Sequence, residues 1–150
     1  MTSIPAADRI RLAEALYSLG ATVVRRVPRD LSLTAVSTLA ALERTGPRRV
    51  TELAVLQGVS QPSMTSLVSG LERGGLVERR SDPTDGRAAL VALTASGTAT
   101  LRQRRRAGTE SVAELLDQLE EGETEDLLAL LPLLDRLREL DDRQRDGAAD

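Results

Sequence analysis

The chain has 150 residues, a net charge of −3, 41% hydrophobic residues and a single aromatic side chain, Tyr17. That length suits one domain, and a core drawn from Leu, Val and Ala favours packed helices over a sandwich. Cysteine and histidine are both absent, which excludes disulfides, thiolate nucleophiles, sulfur-ligated metal and the side chain that titrates near neutrality.

The small net charge hides an asymmetry. Every basic residue is arginine; 16 of them face 9 acidic residues from Met1 to Thr109, whereas 4 face 14 acidic residues from Glu110 onward. A basic front and an acidic tail suggest that one end meets a polyanion and the other does not. No run approaches the roughly 20 apolar residues of a membrane span, and the N-terminus lacks a basic start followed by an apolar stretch. A cytoplasmic location, with no membrane partner, is therefore expected.

Taken in order, residues 8–27 read as a helix, with Ile10, Ala13, Leu16, Tyr17, Gly20 and Val24 on one face. Pro28 ends it, because the residue before a proline avoids helical angles. Residues 32–45 form the next, capped by Ser32 or Thr34 and stopped at Gly46-Pro47. A short extended piece at Arg48 and Arg49 leads to a two-turn helix, TELAVLQ, with Thr51 as cap. Gly58 makes a tight turn, where a left-handed backbone costs glycine little.

Ser60 caps the following helix and Pro62 lies in its first turn. Met64, Leu67, Val68 and Leu71 fall at i, i+3, i+4 and i+7 and should point inward. The opposite face is Gln61, Pro62, Ser63, Thr65, Ser66, Ser69 and Arg73. It is small, polar and nearly uncharged, which suits close approach to another surface better than exposure to water. After Gly74-Gly75 come a strand, Leu76 to Arg80, a turn over 81–86 and a returning strand, Arg87 to Leu93.

Thr94 caps a helix expected to run to about Leu119, carrying Arg102, Arg104, Arg105 and Arg106 as a collar. Gly122 is expected to break it, and residues 123–143 to form one last helix kinked at Pro132. The terminal helices are apolar over faces wider than the roughly 100° stripe a surface helix needs. The excess leucine suggests a second copy of the chain, giving a homodimer.

Helix, glycine turn, helix and hairpin is the order of a winged helix-turn-helix, so the fold class is mainly α (α+β), with a two-stranded wing. In that geometry the second helix enters the major groove of double-stranded DNA, N-terminal residues first. Gln61 could then pair with adenine, Pro62 touch a thymine methyl, and Ser63, Thr65, Ser66 and Ser69 bond bases or phosphates. Arg73, Arg48 and Arg49 are candidates for phosphate contacts. Arg87 at the hairpin tip could reach the minor groove, with Arg79 and Arg80 on the adjoining strand.

Three stretches carry a resemblance across nearly the whole chain: LSLTAVSTLAALERTGP, VTELAVLQGVSQPSMTSLVSGLERGGLVERR and DPTDGRAALVALTASG. The most specific pattern is an Asp-x-Arg at the wing tip before a strand ending in Leu-Thr-x-x-Gly, here Asp85, Arg87, Leu93, Thr94 and Gly97. In these features the chain resembles the MarR family of bacterial transcription regulators. The resemblance implies a single MarR-type domain over 1–150. Residues 32–94 would be its DNA-binding part and residues 8–27 and 95–143 its helical dimerisation part. It implies a homodimer reading a pseudo-palindromic operator, with steric repression as the default mode and no cofactor, metal or catalytic residue. Arg87 becomes the minor-groove residue, braced by Asp85 or Asp82.

Two features depart from the family pattern. Ser66 and Ser69 stand where basic residues are frequent, and Gly86 where many members carry a second arginine. Fewer phosphate contacts are expected. The resemblance also implies a small-molecule effector, but with one aromatic residue in the chain its pocket would have to be aliphatic, built from Leu16, Tyr17 and leucines of the last helices. The alternative to specific DNA binding is a winged helix that serves as a protein-interaction module. An enzyme is not expected, since the carboxylates cluster in the acidic tail without nucleophile or metal-ligand spacing.

Overall fold

The computed structural model describes residues 4–27, 30–83, 85 and 88–147. Helix α1 (Ala6–Arg26) follows Pro5, with Asp8 in its first turn and Arg25 and Arg26 in its last. These charges complement the helix dipole. None of its residues is buried.

Helix α2 (Leu33–Thr45) starts at Ser32, whose hydroxyl accepts the Ala35 N–H at 3.1 Å. Thr34 instead supplies the carbonyl that accepts the Thr38 hydroxyl at 2.8 Å, which allows Thr38 to be fully buried. Strand β1 (Arg48–Arg49) runs directly into α3 (Val50–Gln57). Thr51, expected as the cap, lies inside α3. Arg49 holds the N-cap position, and the Glu52 carboxylate accepts its N–H at 2.8 Å. The helix starts earlier because the chain turns as soon as β1 pairing ends.

Gly58 adopts φ 62°, ψ 32° and closes α3, with Val59 N–H donating to Ala54 O at 3.0 Å. Helix α4 (Gln61–Arg73) begins two residues beyond that turn. Strands β2 (Val77–Ser81) and β3 (Ala89–Leu93) form an antiparallel hairpin, with Val77 opposite Leu93 and Ser81 opposite Ala89. The sheet order is β1-β3-β2, because Arg48 and Arg49 pair with Val91 and Leu90. The expected two-stranded wing thus has a third short strand at its base.

Helix α5 (Ala95–Leu116) is capped by Thr94, whose hydroxyl accepts the Gly97 N–H at 3.0 Å and donates to Gly75 O at 2.7 Å. A Cβ on Gly97 would lie 2.1 Å from Leu76 O. Only glycine permits this approach, which seats the start of α5 on the turn after α4. That is the physical content of the Leu-Thr-x-x-Gly pattern. α1 and α2 both pack against α5.

The C-terminal expectation is corrected at two points. The chain turns over residues 117–120, and Gly122 sits within the first turn of α6 (Glu121–Ala129), where Glu123 Oε2 accepts the Glu120 N–H at 3.0 Å. Residues 123–143 are not one kinked helix: α6 stops at Ala129, and α7 (Leu131–Gly147) follows. Pro132 cannot donate to a carbonyl one turn back, but as the second residue of a new helix it loses nothing.

Leu39, Leu53, Met64, Val68, Val91 and Leu101 are all at most 1% exposed and form the centre of the core. They come from α2, α3, α4, β3 and α5. No described helix is long and apolar enough to cross a membrane.

Candidate nucleic-acid interface

The α3–Gly58–α4 turn fixes which side of α4 faces outward. Met64, Val68 and Leu71 are buried and Leu67 is half-buried, so 3.6-residue periodicity turns Gln61, Pro62, Ser63, Thr65, Ser66 and Arg73 to the surface. Ser69 is half-buried at the edge of that face. The seven residues marked out from sequence therefore share one side of α4, with Ser69 the least accessible.

Hydrogen bonds within α4 limit what each side chain can offer. The Ser60 hydroxyl accepts the Ser63 N–H at 3.3 Å and lies 2.8 Å from the Ser63 hydroxyl. The Thr65 hydroxyl donates to Gln61 O at 2.9 Å, leaving its lone pairs and methyl group toward the outside. Gln61 and Ser66 make no side-chain hydrogen bond among the described residues. A free carboxamide at the exposed N-terminal end of a helix can offer one donor and one acceptor to a flat partner such as a base edge.

The arginines divide into two groups. Arg73 is exposed and forms no ion pair among the described residues. Arg48 is half-buried, its Nε donating to the Thr45 hydroxyl at 3.2 Å. Arg79 Nε donates to Glu72 at 3.2 Å, which ties β2 to the end of α4. Arg80 closes on Glu78 at 2.7 and 2.5 Å. Arg79 and Arg80, singled out as wing contacts, thus already share their charge with neighbouring carboxylates. Exposed pairs of this kind are weak and can exchange partners. Arg87 lies outside the described residues.

Arg49 was expected to face a phosphate, yet its Nε and Nη2 lie 3.1 and 2.6 Å from Asp82 Oδ2. Its Nη2 is also 3.7 Å from Asp85. Asp82 is only 6% exposed. The hydrogen bond that Arg49 donates to Asp82, then the charge of that carboxylate, hold the guanidinium above its ordinary pKa despite desolvation, so it stays cationic throughout the working range. Nothing in the sequence links two residues 33 positions apart; strand register does, because β1 runs alongside β3.

A second feature was not legible either. A cleft of about 550 Å³ opens between α1, α2 and α5, with Val24, Leu31, Val36 and Leu101 in its wall and Arg104 and Arg105 beside it. Arg104 pairs with Asp30, and Arg105 with Glu43 at 2.6 Å. Leu16 and Tyr17 do not line this cleft; both are exposed on α1. They lie two turns too early on the helix to reach it. Among the described residues no cluster of acidic side chains has the makings of a metal site.

A model of the MarR family matches residues 29–88. An HTH-type transcriptional regulator of Mycobacterium tuberculosis is 35% identical over 104 residues, covering 69% of this chain and 73% of that protein. A transcriptional regulator from Thermotoga maritima shares the fold at a TM-score of 0.72 and 24% identity, over 93% of this chain and 99% of its own. A MarR family protein from Bacillus stearothermophilus does so at 0.73 and 19%, over 91% and 97%.

Proposed function

The chain belongs to the MarR family of HTH-type transcriptional regulators, and we propose that it represses transcription by binding a pseudo-palindromic operator as a homodimer in the cytoplasm. Such regulators are not enzymes. The observation that carries the reading is the outer face of α4, where Gln61, Ser63, Thr65 and Ser66 are exposed together on a helix whose other side is locked into the core. A helix of that kind can enter a major groove without displacing large side chains. Arg73 beside it and Arg48 in β1 supply charge for phosphate contacts, and Arg87, by its place in the sequence, for the minor groove.

Dimerisation rests on the terminal helices. α1, α6 and α7 carry Ile10, Leu12, Leu128, Leu131, Leu133 and Leu137 with half or more of their surface exposed. Apolar area on that scale marks an interaction site. Repression follows from occupancy, since a dimer spanning two half-sites about one helical turn apart would block a polymerase.

An effector fits the cleft between α1, α2 and α5 better than the surface around Leu16 and Tyr17. Its wall is aliphatic, and at its rim Arg104 and Arg105 are paired with Asp30 and Glu43, so a small molecule with an apolar body and a carboxylate that exchanges with one of those partners suits it. Binding there would press on the seam between α5 and the DNA-facing unit and alter the distance between the two recognition helices.

The test is a gel shift with DNA from the promoters flanking the gene. A retarded complex at low salt that weakens steeply as salt rises is expected, because phosphate contacts release counterions. Absence of any shift at low salt would overturn the proposal and favour a protein-interaction module.

A further inference from the structure

We infer that Arg49 and Asp82 form a clamp that positions the wing relative to the recognition helix, so that Asp82, an acidic residue beside the DNA-facing surface, strengthens operator binding. This rests on the DNA-binding reading above.

The pair adds a side-chain link at the point where β1 pairs with β3, with Arg49 opposite Leu90. Arg49 ends β1 and caps α3, with its N–H held by Glu52. Its backbone therefore belongs to the helix-turn-helix. Asp82 follows β2 at the start of the wing turn, and its N–H donates to Ala88 O at 3.0 Å. Its backbone thus closes the hairpin. The side chains bridge the two, with both Nε and Nη2 of Arg49 on one carboxylate oxygen. Asp82 is buried while Arg49 stays partly open to solvent, so the contact is screened less than a pair exposed on both sides.

Charge supports the same conclusion. The wing turn carries Asp82 and Asp85, and both lie within 4 Å of Arg49. Left uncompensated, two carboxylates would repel the phosphate backbone just where Arg87 must approach it. Arg49 offsets part of that charge, mainly at Asp82, while the geometry holds the hairpin against the start of α3. Arg49 is a positioning residue in this view, not a phosphate contact.

The two roles predict opposite signs. Removing a negative charge near DNA should tighten binding if Asp82 acts only through its charge. The clamp requires Asp82→Ala to weaken operator binding by about tenfold, the scale of losing a charged hydrogen bond. Hydroxyl-radical protection should disappear at the outer minor-groove flanks, with major-groove protection retained. Arg49→Lys keeps the charge but not the two-nitrogen contact, and should fall short of wild-type affinity. A phosphate contact would be restored by lysine. Equal or tighter binding by Asp82→Ala would overturn the clamp.

A DNA-free measurement separates this from failure of the DNA-binding reading. In Arg49→Gln, amide exchange at Asp82 and Ala88 should accelerate at least tenfold while that at Val68 stays unchanged. Unchanged exchange in the wing would overturn the clamp even if wild type shifts its promoter. Accelerated exchange with no shift by wild type would keep the clamp as a structural device and refute its role in binding.

Discussion

The unit from α2 to β3 and the set formed by α1, α6 and α7 are built from similar apolar residues but use them differently. In the first, Leu39, Leu53, Met64, Val68 and Val91 lose essentially all contact with solvent. In the second, neither α1 nor α6 has a buried residue, and leucines along α7 remain about half exposed. The first unit completes its core within one chain. The second has apolar surface left over, which a second copy would cover. Helix α5 belongs to both, with Leu101 in the core at one end and Leu116 exposed at the other.

The largest expected effect comes from breaking the exposed set. Leu133→Glu together with Leu137→Glu should give a chain of monomer mass by sedimentation equilibrium. Operator affinity should fall by roughly 10²–10⁴-fold, because the second half-site would no longer be bound intramolecularly. The α2–β3 unit should keep its fold by circular dichroism. A two-chain mass with undiminished affinity would place the dimer contact elsewhere.

Next is the buried unit itself. Leu39 is fully buried in the core, on the helix that packs against α3, β3 and α5, so Leu39→Ala should cost about 2–5 kcal/mol of unfolding free energy. Leu128→Ala, at a residue 58% exposed in one chain, sharpens the comparison. It should destabilise little at concentrations where the chain is monomeric and more where it is dimeric. Denaturant titrations at two protein concentrations distinguish the cases, and a concentration-independent loss at Leu128 would count against the interface.

Much of this division was legible in the sequence, for identifiable reasons. The i, i+3, i+4, i+7 spacing of Met64, Leu67, Val68 and Leu71 fixed the inner face of α4, because that periodicity is a local property of the chain. Glycine and proline marked most element ends. Local signals failed where two of them competed. Gly122 sits in a helix because the Glu120–Glu123 contact starts α6 just before it, and Pro132 starts a helix rather than bending one. Long-range features were not legible at all. The Arg49–Asp82 contact depends on the register of β1 against β3, and the cleft depends on how α1 and α2 meet α5. Neither leaves a mark on nearby spacing.

A smaller effect tests the reading face without touching either core. Gln61 is exposed and makes no side-chain hydrogen bond among the described residues, so Gln61→Ala should leave thermal stability unchanged. If its amide reads a base, discrimination at one base pair should relax by roughly 1–3 kcal/mol, measured by competition among single-base operator variants. Equal weakening for every variant would make Gln61 a backbone contact.

The smallest effect lies at the seam between the two regions. Ser32 caps α2 by accepting the Ala35 N–H, and its side chain also borders the cleft beside α5. Losing a cap costs about 1 kcal/mol, so Ser32→Ala should lower unfolding free energy by that amount. Dimer mass should not change, because Ser32 lies outside α1, α6 and α7 and belongs to the unit that carries its own core. Ser32→Asp retains a capping oxygen and should recover most of the stability, but it places a carboxylate where an anionic effector would lie. If the cleft is the effector site, Ser32→Asp should bind DNA normally and lose its response to the effector, whereas Ser32→Ala should keep it. Equal responses from the two variants would move the effector away from this seam, leaving the cap as a purely local contribution to α2.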